Sequence, residues 1–422
     1  MLDRPAPAPA TGSSPSSRPR LLSVTPFPPR LDVQHGGRVV AQLILHLAEH
    51  YDIALVCGRT PDQDPVGPDV AAACQVVEEV PARPPGPLGP AWRHRRRVLA
   101  GIVTGRPTNT LVVSPELPGV VRAVADRFRP HVVQVEHDQI AHAACELDRS
   151  AVHVLVCHEP GMLSSQDQSR RTQGRQHLAH RLETRMWRRF YRRNLPCYDG
   201  VVCFSEHDQA LMERYAHGLP MHVVPLGLDV PEQPLDPVGR ADGPVCFIGN
   251  YRHPPNVDAA LRLMRSIMPA VRLRHPGREL TIVGTRPRDE MLAAAGPLDT
   301  VTGRVERVEP YQDEAPVIAL PLRMGGGMRV KFLEAMAAGK AVVASPLAAV
   351  GLDLTSGDQV VLAETDAEFA EAIIHLLDDE EERRALALRA RAWTLEHATW
   401  GPRVAAYVAL HDELRRGASG RK

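Results

Sequence analysis

No two cysteines in this sequence stand in a C-x-x-C spacing, and the charges leave no excess of either sign. Nor does any run of about 18 apolar residues occur. Each absence excludes something. The seven cysteines are Cys57, Cys74, Cys145, Cys157, Cys197, Cys203 and Cys246. They lack the spacing of a structural zinc site, so no metal centre is expected from them. Several lie in apolar runs, as Cys203 does in Val201–Phe204, and buried thiols in a reducing compartment are the expectation. Without a long apolar run, no segment is expected to span a membrane. Lys plus Arg equals Asp plus Glu at 50 each, so no global field draws nucleic acid. Residues 1–20 are rich in Pro, Ala, Ser and Arg and lack an apolar core. They read as a disordered tail rather than a signal peptide.

What is present is a chain of 422 residues, 44% of them hydrophobic. At about 150 residues per domain, two or three domains are expected. Short Val-rich runs alternate with helical stretches: Leu21–Val24, Asp52–Cys57, His131–Val135, Val152–Cys157, Val201–Phe204 and His222–Val224. Near-continuous apolar runs of this length suit parallel strands covered on both faces, and the helices between them imply βαβ units. Residues 231–244 hold four prolines and two glycines and read as a linker. The pattern then restarts at Val245–Ile248 and continues through Leu280–Val283, Val317–Leu320, Ala341–Ala344 and Val360–Leu362. The fold class expected is α/β, with two Rossmann-like doubly wound domains facing a central cleft. Their bounds are 21–230 and 245–398, with 399–422 as a helix crossing back and a tail. Ligands belong at the carboxyl ends of the strands.

The most informative segment is PLRMGGGMRVKFLEAMAAGKAVVAS, residues 321–345. A strand runs into Gly325, Gly326 and Gly327, and a helix begins near Met328. Glycines let the backbone approach a ligand, and the helix N-terminus beyond them presents free N–H groups to an anion. Arg329 and Lys331 sit in the first turn, where cations oppose the helix dipole unless an anion is bound. Glu334 follows and suits two ribose hydroxyls. These glycines match neither a Walker A loop nor a GxGxxG dinucleotide fingerprint.

In this segment the chain resembles glycosyltransferase family 4, also called the group 1 glycosyltransferases, which have the GT-B fold. Other matches fall in the same order. Gly36-Gly37 opens a helix as the family's N-terminal glycine loop does. VVCFSE at 201–206 and VVPLGLD at 223–229 resemble its interdomain segments. FIGNYRHPPNVDA at 247–259 resembles the start of the second domain in a polysaccharide-related subgroup, and Thr302–Val305 resembles the nucleobase loop. Thr399-Trp400 resembles the final crossover. The resemblance covers about residues 20–415 and implies a nucleotide-sugar donor and retention of anomeric configuration; with cations and a helix N-terminus to meet the diphosphate, the scheme requires no metal.

Carried over residue by residue, the resemblance gives His158 a catalytic role facing the donor sugar, and residue type and spacing give Arg329 and Lys331 catalytic roles at the diphosphate. Donor binding falls to Gly36, Gly37, Gly249, Asn250, His253, Asn256, Gly303, Arg304, Val305, Gly325, Gly326, Gly327, Met328 and Glu334. The chain also departs from the family. Most members carry two glutamates with seven residues between them, and Glu334 matches the second, but Gly326 stands where the first belongs. Asn250, His253 and Asn256 replace the usual Arg and Lys, so Arg329 and Lys331 are left to meet the diphosphate.

His137, ending the strand before that of His158, is a second cleft candidate. Residues 170–193 carry nine arginines and one acid, Glu183. Leu182, Met186, Trp187 and Phe190 fall on one helical face, with Arg185, Arg188 and Arg189 among the basic residues. Such a helix either lies on anionic lipid or packs in the core with a solvated arginine face. Arg93 to Arg97 form a smaller basic cluster. Asp62-Gln63-Asp64 has DxD spacing but sits in a Pro-rich loop. Ser205 and Asp208 read as a helix cap.

The reading is a glycosyltransferase of the cytoplasm or the inner membrane face, acting on a glycan, lipid-linked or small-molecule acceptor in envelope or exopolysaccharide synthesis. A transferase for a secondary metabolite, a GT-B epimerase or hydrolase, and a non-catalytic GT-B binding protein remain open.

Overall fold

The computed structural model describes residues 18–33, 36–81, 100–101, 103–111, 113–216, 218–324 and 330–419. Two parallel sheets organise them. The first has seven strands: β1 (Arg20–Thr25), β2 (Asp52–Arg59), β3 (Val76–Pro81), β4 (Val132–Glu136), β5 (Val152–Cys157), β6 (Gly200–Cys203) and β7 (Met221–Val223). Their spatial order is β3-β2-β1-β4-β5-β6-β7. The second has β8 (Val245–Ile248), β9 (Leu280–Val283), β10 (Asp299–Val301), β11 (Ile318–Leu320), β12 (Val342–Ala344) and β13 (Val361–Leu362). Its order is β10-β9-β8-β11-β12-β13. Both are doubly wound, so the chain has an α/β fold of two Rossmann-like domains. Each sheet has a switch point where the strand order reverses, between β1 and β4 and between β8 and β11. A crevice opens there at the strands' carboxyl ends.

Helices α1 (Gly36–Leu47), α2 (Pro68–Ala73), α3 (Leu117–Phe128), α4 (Gly161–Arg171), α5 (Gly174–Asn194) and α6 (Glu206–Glu213) accompany the first sheet. Helices α7 (Pro254–Arg262), α8 (Met268–Arg274), α9 (Asp289–Leu292), α10 (Glu309–Glu314), α11 (Val330–Ala337), α12 (Asp366–Asp378) and α13 (Glu380–His397) accompany the second. The last helix, α14 (Trp400–Ser419), packs its Trp400, Val404, Tyr407 and Leu410 into the first domain's core beside α1. Local caps start several of these helices. Ser205 accepts from the Asp208 amide at 3.2 Å and starts α6, while Thr365 and Glu368 form a reciprocal box at α12.

Two strands escape the sequence pattern. β3 and β10 are edge strands carrying Glu78 and Glu79, and Asp299 and Thr300, so they lack the buried-strand signature. The cysteine expectation is corrected at one pair. Cys57, Cys157, Cys203 and Cys246 are buried thiols and Cys74 a half-buried one, but Cys145 and Cys197 form a disulfide. They are 52 residues apart in sequence and 5.1 Å apart at Cα. Adjacent β4 and β5 bring the segment after β4 against the end of α5. Among the described residues no helix is long and apolar enough to cross a membrane.

Candidate active site

The first domain builds its side of the cleft at the ends of β4 and β5. Parallel register sets Glu136 beside Val156, two residues before His158. The His158 Nε2 then lies 2.7 Å from the Glu136 carboxylate. The other Glu136 oxygen accepts from Gln134 Nε2 at 2.6 Å. His137 stacks on His158 with ring centroids 3.8 Å apart, and Phe204 meets the His158 ring edge-on at 4.8 Å. His137 adopts φ 71°, in the left-handed region that non-glycine residues seldom enter. Its Nε2 is buried without a hydrogen-bond partner.

Burial decides the charges here. It raises Glu136 to about 7. It lowers His158 to about 3, and His137 well below the usual histidine value. Asp138 is likewise raised, to about 6, while it accepts from the Gly161 amide and the Tyr191 hydroxyl. That pair of bonds fixes the loop following His158. Gly36 opens α1 against this cluster. A Cβ there would approach Phe27 to 3.4 Å and His137 Nε2 to 3.7 Å.

The second domain contributes backbone. The Gly249 amide donates to Val283 at the β8 and β9 ends, and the Gly284 amide donates to Gly303 after β10. Gly284 has φ 140°, and a Cβ on it would fall 1.7 Å from the Gly249 carbonyl oxygen. Only glycine lets these three strand ends lie this close. Asn250 and Asn256 are engaged inside their own loop: Asn256 Nδ2 donates to the Asn250 carbonyl at 2.8 Å, and Asn250 Oδ1 accepts from the Arg252 amide at 3.1 Å. His253 occupies the N-cap position of α7, and burial, then the nearby charges of Lys331 and Arg252, lower it from the usual histidine value. Val305 lines a shallow cavity of about 490 Å³ with Glu306, Arg307, Pro310, Tyr311 and Glu314.

Lys331 and Glu334 stand on the first turns of α11, behind the β8/β11 switch point. Burial raises the Glu334 carboxyl, and the charges of Arg38 on α1 and of Lys331 pull it down. The cleft is thus bridged by charge. Asp32 feels Arg304 of the other domain, and Asp62 lies 3.6 Å from Arg286 and 4.0 Å from Arg252. The DxD carboxylate Asp62 is therefore an interdomain ion-pair partner. No group of three or more His, Cys, Asp or Glu that could hold a metal occurs among the described residues.

Residues 36–232 match the profile described as Glycosyltransferase Family 4, and residues 243–379 match that described as Glycosyl transferases group 1. The chain belongs to the group 1, family 4 glycosyltransferases. A phosphatidyl-myo-inositol mannosyltransferase of Mycolicibacterium smegmatis is 32% identical over 181 residues, 40% of this chain and 45% of that protein. An uncharacterized 44.6 kDa protein in the cps region of Klebsiella pneumoniae is 26% identical over 140 residues, 31% of this chain and 36% of that one. The chain thus spans less than half the length of these curated relatives. The sucrose-phosphate synthase of Thermosynechococcus elongatus shares the fold over 94% of this chain and 100% of its own, with TM-score 0.70 and 15% identity. Anabaena HepE in complex with UDP and glucose does so over 93% and 100%, with TM-score 0.63 and 14% identity. These structural likenesses show the GT-B fold.

In this glycosyltransferase, His137 and His158 come together, as do Gly249 and Gly303. Lys331 lies near enough to His253 for its charge to act there. Gly325, Gly326, Gly327, Met328, Arg329 and the basic cluster at 93–97 lie outside the described residues. Arg185, Arg188 and Arg189 are exposed on α5, while Met186, Trp187, Phe190 and Tyr191 are buried in the core. The Met186, Trp187 and Phe190 face of α5 is therefore closed to lipid, while those arginines and Leu178 are exposed. Sequence reasoning missed Glu136, Gln134 and Arg38. The one signal for Glu136 was a carboxylate in a short Val-rich strand, VVQVE.

Proposed function

We propose that this glycosyltransferase moves a hexosyl group from a nucleoside-diphosphate sugar, held by the second domain, to a hydroxyl of a glycan, lipid-linked or small-molecule acceptor. The observation that carries the reading is the pair of facing rims. Gly249, Gly284 and Gly303 lie with Lys331 and Glu334 on one side, and His158 with Glu136 on the other. The bond from sugar C1 to the diphosphate oxygen breaks, a bond from C1 to the acceptor oxygen forms, and the acceptor proton leaves with the diphosphate. Negative charge grows on the leaving group, where Lys331 and Arg329 stabilise it. Glu334 takes the ribose, His158 meets the sugar, and Gly36-Gly37 lets the first domain approach. Retention of configuration rests on the family, and the scheme uses no metal. The structures of HepE with UDP-glucose and the name of the mannosyltransferase relative support a sugar-nucleotide donor. The relative from a cps region supports envelope or exopolysaccharide synthesis.

Thermal shift with UDP, GDP, ADP, dTDP and NAD tests this. Ligand at about 100 times its dissociation constant adds roughly 2.7 kcal/mol of stability. A shift with one nucleoside diphosphate supports the transferase and names the base. A shift with NAD alone, or none at all, overturns it. Product analysis without acceptor separates transfer from hydrolysis.

A further inference from the structure

Glu136 is fully buried, its neighbour His158 is 9% exposed, and the two side chains meet at 2.7 Å. The His158 ring cannot turn freely, because His137 stacks on one side and Phe204 abuts it. Nε2 is therefore committed to Glu136, and only Nδ1 is left for a ligand. A neutral imidazole carries its proton on one nitrogen and a lone pair on the other, and the partner at one nitrogen dictates the character of the other. We propose that Glu136 is a positioning residue that decides whether His158 offers the bound sugar a hydrogen-bond donor or an acceptor at Nδ1.

The proton count makes this independent of where the shared proton rests. With two protons on the pair, Nδ1 always bears one. Either a carboxylic acid donates to Nε2, or a carboxylate accepts from an imidazolium, and both leave Nδ1–H. With one proton, the carboxylate accepts from Nε2–H, and Nδ1 is a bare acceptor. Removing one proton from the pair therefore inverts the polarity of the hydrogen bond offered to the cleft. Burial raises the Glu136 acid toward neutrality, which places the inversion within the working range of pH. The groups facing Glu136 are few. Gln134 donates to its second oxygen, His137 follows it in sequence, His158 faces it from β5, and its charge acts on the Tyr407 phenol of α14. From α1, Arg38 acts on Glu334.

Glu136→Gln separates this role from mere packing. Gln134 Nε2 already donates to one position, which the new amide oxygen must occupy. The amide NH2 then faces Nε2 and donates to it, locking His158 as the Nδ1–H form. The test is ¹⁵N-histidine NMR of the full chain between about pH 6 and about pH 8.5. His158 is assigned by loss of its signals in His158→Gln. In the parent, Nδ1 should pass from protonated to bare as pH rises; in E136Q it should stay protonated throughout. A parent Nδ1 that does not change, or an E136Q signal that titrates like the parent's, overturns the proposal, and the parent titration stands even if the variant folds poorly.

The consequence for sugar recognition rests on the donor reading above. It is read by the affinities of UDP and UDP-glucose, and of GDP and GDP-mannose. In the parent, the sugar nucleotide's affinity relative to its diphosphate should change several-fold across that pH range; in E136Q the ratio should be flat. If the NMR inversion occurs but neither pair binds, the inversion at His158 is upheld and the transferase reading fails.

Discussion

Burial raises the Glu136 carboxyl to about 7, and that carries a stability cost at high pH that its position in a strand does not reveal. Its folded-state value, about 7, lies above the 4.5 of an unperturbed glutamate. The native chain therefore binds more protons than the unfolded one between these values. The favourable contribution is complete below about 4.5 and is lost as pH rises through about 7. E136Q removes the titration. Its stability relative to the parent should rise by roughly 2–3 kcal/mol between pH 5 and pH 8, measured by urea unfolding. His158, lowered by burial, contributes with the opposite sign, so the difference is read against the same pair of proteins carrying His158→Gln. A second residue prediction concerns Lys331, which is half-buried on the first turn of α11. Lys331→Ala should weaken nucleoside-diphosphate binding several-fold with little change in melting temperature, by calorimetric titration. An unchanged affinity removes its assigned role.

Helix α5 makes the case at the scale of an element. Its period placed Met186, Trp187 and Phe190 on one face, and these are buried with Tyr191. Arg181, Arg185, Arg188, Arg189, Arg192 and Arg193 are all exposed. Glu183 accepts from the Thr108 amide and hydroxyl at 2.7 and 2.9 Å, tying the helix to its neighbour. A row of exposed cations near a negatively charged leaflet gains about 1 kcal/mol per residue. We expect the parent to bind anionic vesicles in a salt-sensitive way, and R188E with R189E to lower that binding by at least tenfold in a flotation assay. Parent protein that ignores such vesicles removes the membrane contact. The strands show where local reading stops. β4 and β5 were legible because both faces are buried and their residues are mostly Val and other apolar types. β3 and β10 were not, because an edge strand tolerates Glu79 or Asp299 and so loses the pattern.

Across the whole molecule, the domains are joined at the interdomain crossing as well as at the cleft. Leu228 donates to the Ala398 carbonyl at 2.8 Å where the two crossings meet. Trp400, 3% exposed, lies against Gly227, where a Cβ would come within 2.6 Å of its ring, and its Nε1 donates to Gln42 at 3.3 Å. Buried Lys340, Arg383 and Arg391 donate to the carbonyls of Asp236, Val238, Pro231 and Glu232, strapping the linker to the second domain. Trp400→Ala should therefore destabilise the chain by about 3–5 kcal/mol. Chemical denaturation read through the remaining tryptophans checks this, and a loss under about 1 kcal/mol would show that α14 is a loose appendage.

The sequence by itself determined two α/β domains, the glycines at the strand ends, the helix that follows the triple glycine and the placement of His158 at a carboxyl edge. All of these follow from local period, from backbone freedom at glycine and from the parallel-strand pattern. Tertiary structure alone decided which partners meet. Glu136 reaches His158 only through the register of β4 on β5, and Arg38 acts on Glu334 only across the cleft. Cys145 joins Cys197 only because two loops 52 residues apart share one end of the sheet. The α5 arginines are left facing water because the core takes the other side of that helix. Such pairings depend on distances between segments far apart in the chain, and residue type and spacing carry no measure of those distances.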